Sequence, residues 1–334
     1  MPVIESSYSA PWWLRNGHLH TVYAALRRRV GGIRYGRERL ELDDGDFLDL
    51  DWSRVGNQRQ AVVVSHGLEG SSNASYVKGM VRAFNRRGWD AVAWNQRGCS
   101  GEPNRLLRMY HSGVSDDLLR VAGHVAGLGY ERVGLVGFSL GGNVTLKLAG
   151  EMGSAAPAWM TGAVGISVPV DLAGSSVRMA RLENRIYMGR FLGSLRGKLR
   201  AKQTRFPEAL DDSGYGGIRS FRGFDGRYTA PIHGFASAED YWAKSGALRV
   251  LEGIRFPVLL LNSRDDPFLS PGCFPTEVAR QHGFLQLEVP RHGGHVGFMD
   301  GGGTKGESFA EKTAVEFLTK SLGETRKQKE AAAS

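Results

Sequence analysis

Short apolar runs alternate along the chain with longer segments whose apolar residues recur every three to four positions. The runs at 61–65, 90–95 and 133–137 are short and apolar, and helical patterns follow the first two at 74–87 and 115–127. Strands that alternate with helices of this length predict βαβ units and a mostly parallel sheet. The pattern therefore indicates an α/β fold whose central sheet is flanked by helices.

Further strands are predicted at 163–168, 257–262 and 285–289, and a last helix at 307–322. Residues 33–52 alternate in polarity around Asp43-Asp44-Gly45-Asp46, a sequence typical of a hairpin turn.

The stretch 171–251 interrupts this alternation. About 80 residues separate two predicted strands there, whereas connections in α/β domains are usually short. Helical patterns near 177–202 and 238–251 predict an inserted helical cap or lid. The expected organisation is an N-terminal arm with the first part of the core (1–170), the cap (171–251), the second part of the core (252–325) and a flexible tail (326–334).

The central chemical motif is Gly137-Phe138-Ser139-Leu140-Gly141, a G-x-S-x-G sequence between a predicted strand and a helical pattern that reaches about residue 149. A sharp strand-to-helix turn of this kind holds serine in a strained conformation and exposes its Oγ as a nucleophile. No G-x-G-x-x-G fingerprint follows this strand, which argues against a dinucleotide site. Ser139 is therefore the candidate nucleophile.

A serine nucleophile needs a histidine base, which should follow it late in the chain. His295 lies in a glycine-rich loop at 291–297 after the last predicted strand, and His292 is its local rival. His66 is expected to be structural. Surface or capping positions are expected for His18, His20, His124 and His282.

The acid that orients the base should follow the penultimate strand. Asp265 and Asp266 both lie there, and the spacing from Ser263 favours Asp266. Asp171, after the preceding strand, is a third candidate. The expected oxyanion donors are the backbone N–H groups of Leu140, directly after the nucleophile, and of Leu68, in the loop after the strand at 61–65.

Several stretches of the sequence resemble the α/β-hydrolase superfamily and, within it, the YheT/EMB8 branch. The resemblance covers about residues 10–320 and includes WWLRNGHL at 12–19, HGLEGSS at 66–72, RGCSGEPNR at 97–105, YHSG at 110–113, GFSLGGN at 137–143, YTAP at 228–231 and DDPF at 265–268. It implies an α/β-hydrolase fold and a serine hydrolase of carboxylic esters with Ser139, Asp266 and His295 as the triad. Relatives in that branch include enzymes of medium-chain acyl esters, some of them able to transfer acyl groups to alcohols, and lipases of glycerolipids.

The predicted function is therefore serine-dependent hydrolysis of short- to medium-chain acyl esters or lipids. Two alternatives remain open: acyl transfer to an alcohol by the same triad, and a non-catalytic protein that binds lipid or a partner. No cofactor is expected. No metal is expected either, because neither the His292/His295 pair nor the His18/His20 pair has an evident third ligand.

The formal net charge of +9 first raises the question of nucleic-acid binding, but no nucleic-acid motif accompanies it. The excess lies in two segments: residues 1–40 have seven arginines and two glutamates, and residues 178–205 have nine cations and one glutamate. In the second segment, apolar residues recur beside the cations at near-helical spacing, at Leu182, Ile186, Leu192, Leu195 and Leu199. A basic amphipathic helix can make peripheral contact with an anionic membrane; the alternative is that these residues form the solvated outer face of a cap helix.

The N-terminal sequence lacks the basic and apolar regions of a secretory signal, and no apolar run approaches the length of a membrane span. Only two cysteines are present, Cys99 and Cys273, which fits a reducing compartment. A cytoplasmic location is therefore expected.

Overall fold

The computed structural model describes residues 2–56, 59–300 and 304–332, with side chains up to residue 321. One sheet of nine strands runs through these residues. The strands are β1 (Val3–Ile4), β2 (Gly36–Glu41), β3 (Phe47–Ser53), β4 (Gln60–Ser65), β5 (Asp90–Asn95), β6 (Arg132–Phe138), β7 (Met160–Ile166), β8 (Val258–Leu261) and β9 (Leu285–Glu288).

The strand order is β1-β9-β8-β7-β6-β4-β5-β3-β2. Strand β3 pairs antiparallel with both β2 and β5, and the other neighbours are parallel. The antiparallel β2–β3 pair is the predicted hairpin, and Gly45 has the positive φ (81°) that its turn requires. The predicted α/β class and mostly parallel sheet are confirmed.

Eleven α-helices occur in the described residues. They are α1 (Gly17–Arg27), α2 (Ser75–Asn85), α3 (Ser115–Gly127), α4 (Leu140–Met152), α5 (Leu172–Met179), α6 (Arg185–Gln203), α7 (Phe221–Phe224), α8 (Ala230–Ile232), α9 (Ala238–Ser245), α10 (Thr276–Gln281) and α11 (Phe309–Ala332). Helices α2 and α11 contact each other and pack with the strands in one apolar cluster, on one face of the sheet. Helices α3 and α4 pack with the strands in a separate apolar cluster, on the other face. Both faces of the sheet are thereby buried, as parallel strands require.

The two-residue strand β1 and the helix α1 were not predicted from the sequence. Strand β1 is too short to show a period, and α1 begins with Gly17-His18, which are poor helix formers. Helix α11 continues ten residues beyond its predicted end. The flexibility of 326–334 stays a prediction, and residues 333–334 lie outside the described part of the chain.

Residues 171–251, which we call the cap, lie between β7 and β8 and contain α5 to α9. Aromatic and aliphatic side chains form a separate apolar cluster within it, which reaches Phe268 of the core. The predicted apolar stripe of the cap is only partly exposed. Leu192, Leu195 and Leu199 are buried in this cluster, whereas Leu182 and Ile186 are 85% and 86% exposed. Of these apolar residues, only Leu182 and Ile186 therefore remain available to contact another surface.

None of the helices within the described ranges combines the length and the hydrophobicity that a bilayer span requires.

Candidate active site

Ser139 lies at the sharp turn between β6 and α4. Its backbone has φ 52° and ψ −119°, a strained conformation for a residue with a Cβ, and its N–H donates to Ile166 O at 2.9 Å. Glycine is required on both sides of the turn: a Cβ on Gly137 would lie 2.3 Å from Gly141 O, and one on Gly141 would lie 2.4 Å from His66 O. The strand and helix therefore meet closely enough to turn the serine outward.

Three side chains form one hydrogen-bonded chain at this turn. His295 Nε2 lies 2.9 Å from Ser139 Oγ, and His295 Nδ1 lies 2.8 Å from Asp266 Oδ2. The second Asp266 oxygen accepts the Phe268 N–H at 2.9 Å, and the Asp266 side chain is completely buried. Because the carboxylate fixes Nδ1 as the protonated nitrogen, Nε2 is left to accept the serine proton.

The rival residues have other partners. Asp265 accepts the Gly294 N–H at 2.9 Å and lies 3.2 Å from His292 Nδ1, so these two side chains support the loop that holds His295. Asp171 caps α5 by accepting the Gly174 N–H at 3.0 Å, and its second oxygen accepts the Ser270 hydroxyl. Of the candidates, the structure brings together Ser139, Asp266 and His295.

Two residues that the sequence analysis missed support the histidine loop. Thr21 of α1 accepts the His295 N–H at 2.8 Å, and Ser167 accepts the Val296 N–H at 2.8 Å. Val296 has φ 58°, so the loop is held in a strained conformation at this point. Helix α1 of the N-terminal arm thus helps to build the site, and only the tertiary contacts reveal this role.

His20 in the same arm corrects one expectation. It was expected at the surface or in a cap, yet it is fully buried and its Nε2 accepts the Met299 N–H at 2.9 Å. Burial lowers its pKa to about 4, which keeps the imidazole neutral as an acceptor.

Two backbone N–H groups beside the serine have no acceptor among the described residues, those of Leu68 and Leu140. Both residues line the same cavity as Ser139 and His295. A Cβ on Gly67 would lie 3.1 Å from Ser139 Cβ, so the loop of Leu68 packs directly against the nucleophile. Free donors at this place are suited to an oxyanion.

Side chains from three elements fix the loop around Leu68. The Gly67 N–H donates to Tyr76 OH at 3.0 Å, and the Glu69 N–H donates to Tyr110 OH at 2.9 Å. Glu69 itself has φ 55°, a conformation that its partners must hold in place.

The carboxylate of Glu69 connects this loop to the cap. Lys198 of α6 lies 2.9 Å from it, and Ser194 of the same helix donates to it. Burial raises the pKa of Glu69, but the positive charge of Lys198 and the hydrogen bonds outweigh this effect and hold the pKa below its ordinary value. Lys198 also donates to the buried Cys99 at 2.9 Å. The cap helix α6 and the loop around Leu68 therefore share one charged contact.

The triad opens into a cavity of about 130 Å³ between the core and the cap. Most of its wall is apolar or aromatic: Leu68, Met109, Leu140, Leu172, Met179, Phe191, Leu195, Phe221, Phe224, Ile232, Trp242 and Phe268. A cavity with such walls suits an acyl chain.

Polar side chains also line this cavity, among them Asp225, His111 and His233. Asp225 accepts hydrogen bonds from Thr229 Oγ1 at 2.7 Å and from Trp242 Nε1 at 2.9 Å. Burial nevertheless raises its pKa to about 6. The cavity therefore holds a titratable carboxyl group away from the triad.

No group of three or more His, Cys, Asp or Glu side chains in the described part of the chain is arranged to hold a metal ion. His295 and His292 are each hydrogen-bonded to an aspartate instead. Both cysteines are free and buried.

Comparisons with known proteins agree with the fold described above. Residues 60–302 match the family described as alpha/beta hydrolase fold. The YheT protein of Escherichia coli (strain K12) is 36% identical over 322 residues, which cover 91% of this chain and 90% of that protein. The phospholipase ABHD3 of Mus musculus is 27% identical over 328 residues, which cover 95% of this chain and 79% of that protein.

Among solved structures, the Pyrococcus furiosus esterase PF2001 superposes with a TM-score of 0.55 at 17% identity, covering 90% of this chain and 96% of that chain. At this identity the superposition supports the fold alone. The match to the family and the relative at 36% identity confirm both the predicted fold and the resemblance to the YheT branch. The chain belongs to the α/β-hydrolase fold family.

Proposed function

We propose that this protein is a carboxylic-ester hydrolase that works through a covalent acyl-enzyme on Ser139. The observation that carries the proposal is the hydrogen-bonded chain Asp266–His295–Ser139, with distances of 2.8 and 2.9 Å, at the mouth of an apolar cavity. A purely binding protein has no need for a buried carboxylate, an imidazole and a serine in this order.

In the proposed acylation step, Ser139 Oγ attacks the ester carbonyl carbon while its proton moves to His295 Nε2. The carbonyl oxygen becomes an oxyanion, which accepts hydrogen bonds from the N–H groups of Leu68 and Leu140. Asp266 stabilises the imidazolium that forms. When the tetrahedral intermediate collapses, the alcohol leaves with the proton from His295, and the acyl group stays on Ser139.

Deacylation repeats these steps with water. His295 takes a proton from water, the hydroxide attacks the acyl carbonyl, and the proton returns to Ser139 Oγ as the carboxylic acid leaves. If an alcohol took the place of water, the same steps would give acyl transfer. We favour hydrolysis, because water needs no binding site of its own.

The proposed substrates are short- to medium-chain acyl esters, including those of lipids. Support comes from the apolar cavity wall, which suits an acyl chain, and from the similarity to a mouse phospholipase.

A panel of p-nitrophenyl esters from acetate to palmitate tests the proposal, with the wild type, Ser139→Ala and Ser154→Ala compared. Ser154 is an exposed serine beyond the end of α4 and serves as the matched control. We expect hydrolysis that is greatest at short to medium chain length, is lost in Ser139→Ala and is unchanged in Ser154→Ala. Equal hydrolysis by Ser139→Ala and the wild type would contradict the proposal.

A further inference from the structure

We propose that the outer surface of the cap at residues 177–190, which we call the docking face, binds an anionic phospholipid membrane. The docking face lies outside the triad, so its binding to a membrane does not depend on the reaction at Ser139. Exposed apolar side chains, unpaired cations beside them, and the position of both relative to the catalytic cavity support the proposal.

Three large apolar side chains project from the docking face within ten residues. Val177, Leu182 and Ile186 are 66%, 85% and 86% exposed. Their neighbours Met179 and Met188 are buried in the cap, so the cap has its own apolar core and leaves these three outside it. Clustered large apolar residues on a surface mark a site of contact with another apolar phase.

Cations lie among these side chains. Arg181, Arg185 and Arg190 are exposed and form neither an ion pair nor a side-chain hydrogen bond with any described residue. The one acidic residue between 178 and 205, Glu183, is paired with Arg178 at 2.9 Å. The docking face therefore has a net positive charge that no carboxylate of the described protein neutralises.

A groove of about 490 Å³ opens on the same surface. The residues that line it include Met188 and Leu192 and the arginines Arg181, Arg185 and Arg219. A phospholipid offers the matching chemistry, because its phosphate is anionic and its glycerol and acyl parts are apolar. Basic surfaces with adjacent apolar side chains lie at the boundary between headgroups and acyl chains.

The docking face is also the back of the catalytic cavity. Helix α5 turns Ser176 and Met179 toward the cavity and Val177 toward the outside. Next to Ile186, the ring of Tyr187 packs 4.8 Å from Phe268, whose ring lies 4.3 Å from that of His295. A membrane bound at this face would be separated from His295 by the rings of Tyr187 and Phe268. Membrane binding would therefore bring the catalytic cavity close to the lipid esters of the bilayer.

Sedimentation with vesicles tests the proposal directly. The wild type is mixed with vesicles of phosphatidylcholine alone and of phosphatidylcholine with phosphatidylglycerol at 3:1, at low and at high salt. We expect binding to the anionic vesicles that weakens with salt, and at least tenfold weaker binding to the neutral ones.

Two double variants locate the binding surface. Leu182→Ser/Ile186→Ser removes the apolar side chains, and Arg181→Gln/Arg185→Gln removes two cations. We expect about a tenfold or greater loss of the partition coefficient for the first and about a fivefold loss per arginine for the second. The controls are Leu128→Ser and Arg59→Gln, both exposed and both close to the amino ends of β6 and β4, away from the cap.

The controls should bind like the wild type, and both double variants should hydrolyse a water-soluble p-nitrophenyl ester at the wild-type rate. Repeating the sedimentation with Ser139→Ala separates the two proposals, since membrane binding should survive a loss of catalysis. Absence of vesicle binding, or binding that both double variants retain, would overturn the inference.

Two other occupants of this surface would also overturn it. Competition by millimolar inorganic phosphate would assign the groove to a free anion. A concentration-dependent dimer that Leu182→Ser/Ile186→Ser abolishes, in the absence of vesicles, would assign the face to a second copy of the chain.

Discussion

Replacing Asp266 by asparagine is expected to disable the triad by reversing the tautomer of His295. In the native site, Asp266 Oδ1 accepts the Phe268 N–H at 2.9 Å, and Oδ2 faces His295 Nδ1 at 2.8 Å. An asparagine amide has one acceptor oxygen, and the Phe268 N–H requires that oxygen on its side. The NH₂ group must then face His295, so Nδ1 becomes an acceptor and the proton moves to Nε2.

With Nε2 protonated, the imidazole cannot accept the proton of Ser139. An exchange of this kind in a serine triad lowers kcat by ~10⁴. We therefore expect Asp266→Asn to lower kcat/KM by about 10⁴, which corresponds to about 5 kcal/mol of transition-state stabilisation. The measurement is the rate of p-nitrophenyl ester hydrolysis at pH 7–8, with circular dichroism and thermal melts to verify the fold.

The matched control is Asp265→Asn. Asp265 bonds the Gly294 N–H and lies near His292, so its replacement weakens the support of the loop without changing the tautomer of His295. Loss of one such hydrogen bond is worth ~0.5–1.5 kcal/mol, so kcat/KM should stay within about tenfold of the wild type. The reasoning would be refuted if Asp266→Asn kept a tenth of the activity, or if Asp265→Asn lost as much.

Three other substitutions probe the contact between Lys198 and Glu69, the strand-to-helix turn at Ser139, and the catalytic cavity. Lys198→Met removes the cation beside Glu69 and should lower kcat by ~10- to 100-fold with little change in KM, a smaller loss than the ~10²–10³ expected when an oxyanion donor is removed. Lys198→Arg should recover most of the lost kcat. A change in KM alone would contradict a role of Lys198 in positioning the loop around Leu68. Gly141→Ala places a Cβ 2.4 Å from a backbone oxygen and should lower the free energy of unfolding by ~1–3 kcal/mol or more. Gly197→Ala in α6, where a Cβ meets nothing within 4 Å, should raise the free energy of unfolding by ~0.5–1 kcal/mol. Equal stability of the two variants in urea unfolding would contradict the steric argument. The pKa of Asp225 is raised from 3.8 to about 6, so between about pH 4 and pH 6 the folded state keeps a proton that the unfolded state loses, and the free energy of unfolding should fall. Asp225→Asn should remove on the order of 3 kcal/mol of that fall. If urea unfolding of this variant showed the same pH profile as the wild type, the result would contradict the prediction.

Local sequence patterns were sufficient to predict the core strands and the strand-to-helix turn at Ser139. Strand β5 and helix α3 have the predicted bounds, and Ser139 lies at the predicted turn, because the flanking glycines and the apolar strand leave few other conformations. Spacing from Ser263 favoured Asp266 over Asp265, but only the fold shows that Asp266 faces His295 and that Asp265 faces His292.

Long-range contacts account for what sequence reasoning missed. Thr21 supports His295 from 274 residues away, and Lys198 reaches Glu69 across the boundary between cap and core. Neither residue has a local motif that marks its role. The burial of part of the apolar stripe of the cap also depends on tertiary contacts, because the cap folds on its own cluster and buries Leu192, Leu195 and Leu199. Amphipathic spacing shows which residues share a face but not what covers that face.

The most direct test of the central claim is to locate the covalent adduct of a fluorophosphonate, which reacts with an activated serine nucleophile. The wild type is labelled to completion, digested and examined by mass spectrometry, beside Ser139→Ala. We expect one adduct per chain, on the peptide that contains Ser139, and none in the variant. An adduct on another residue, or equal labelling of Ser139→Ala, would contradict the assignment of Ser139 as the nucleophile.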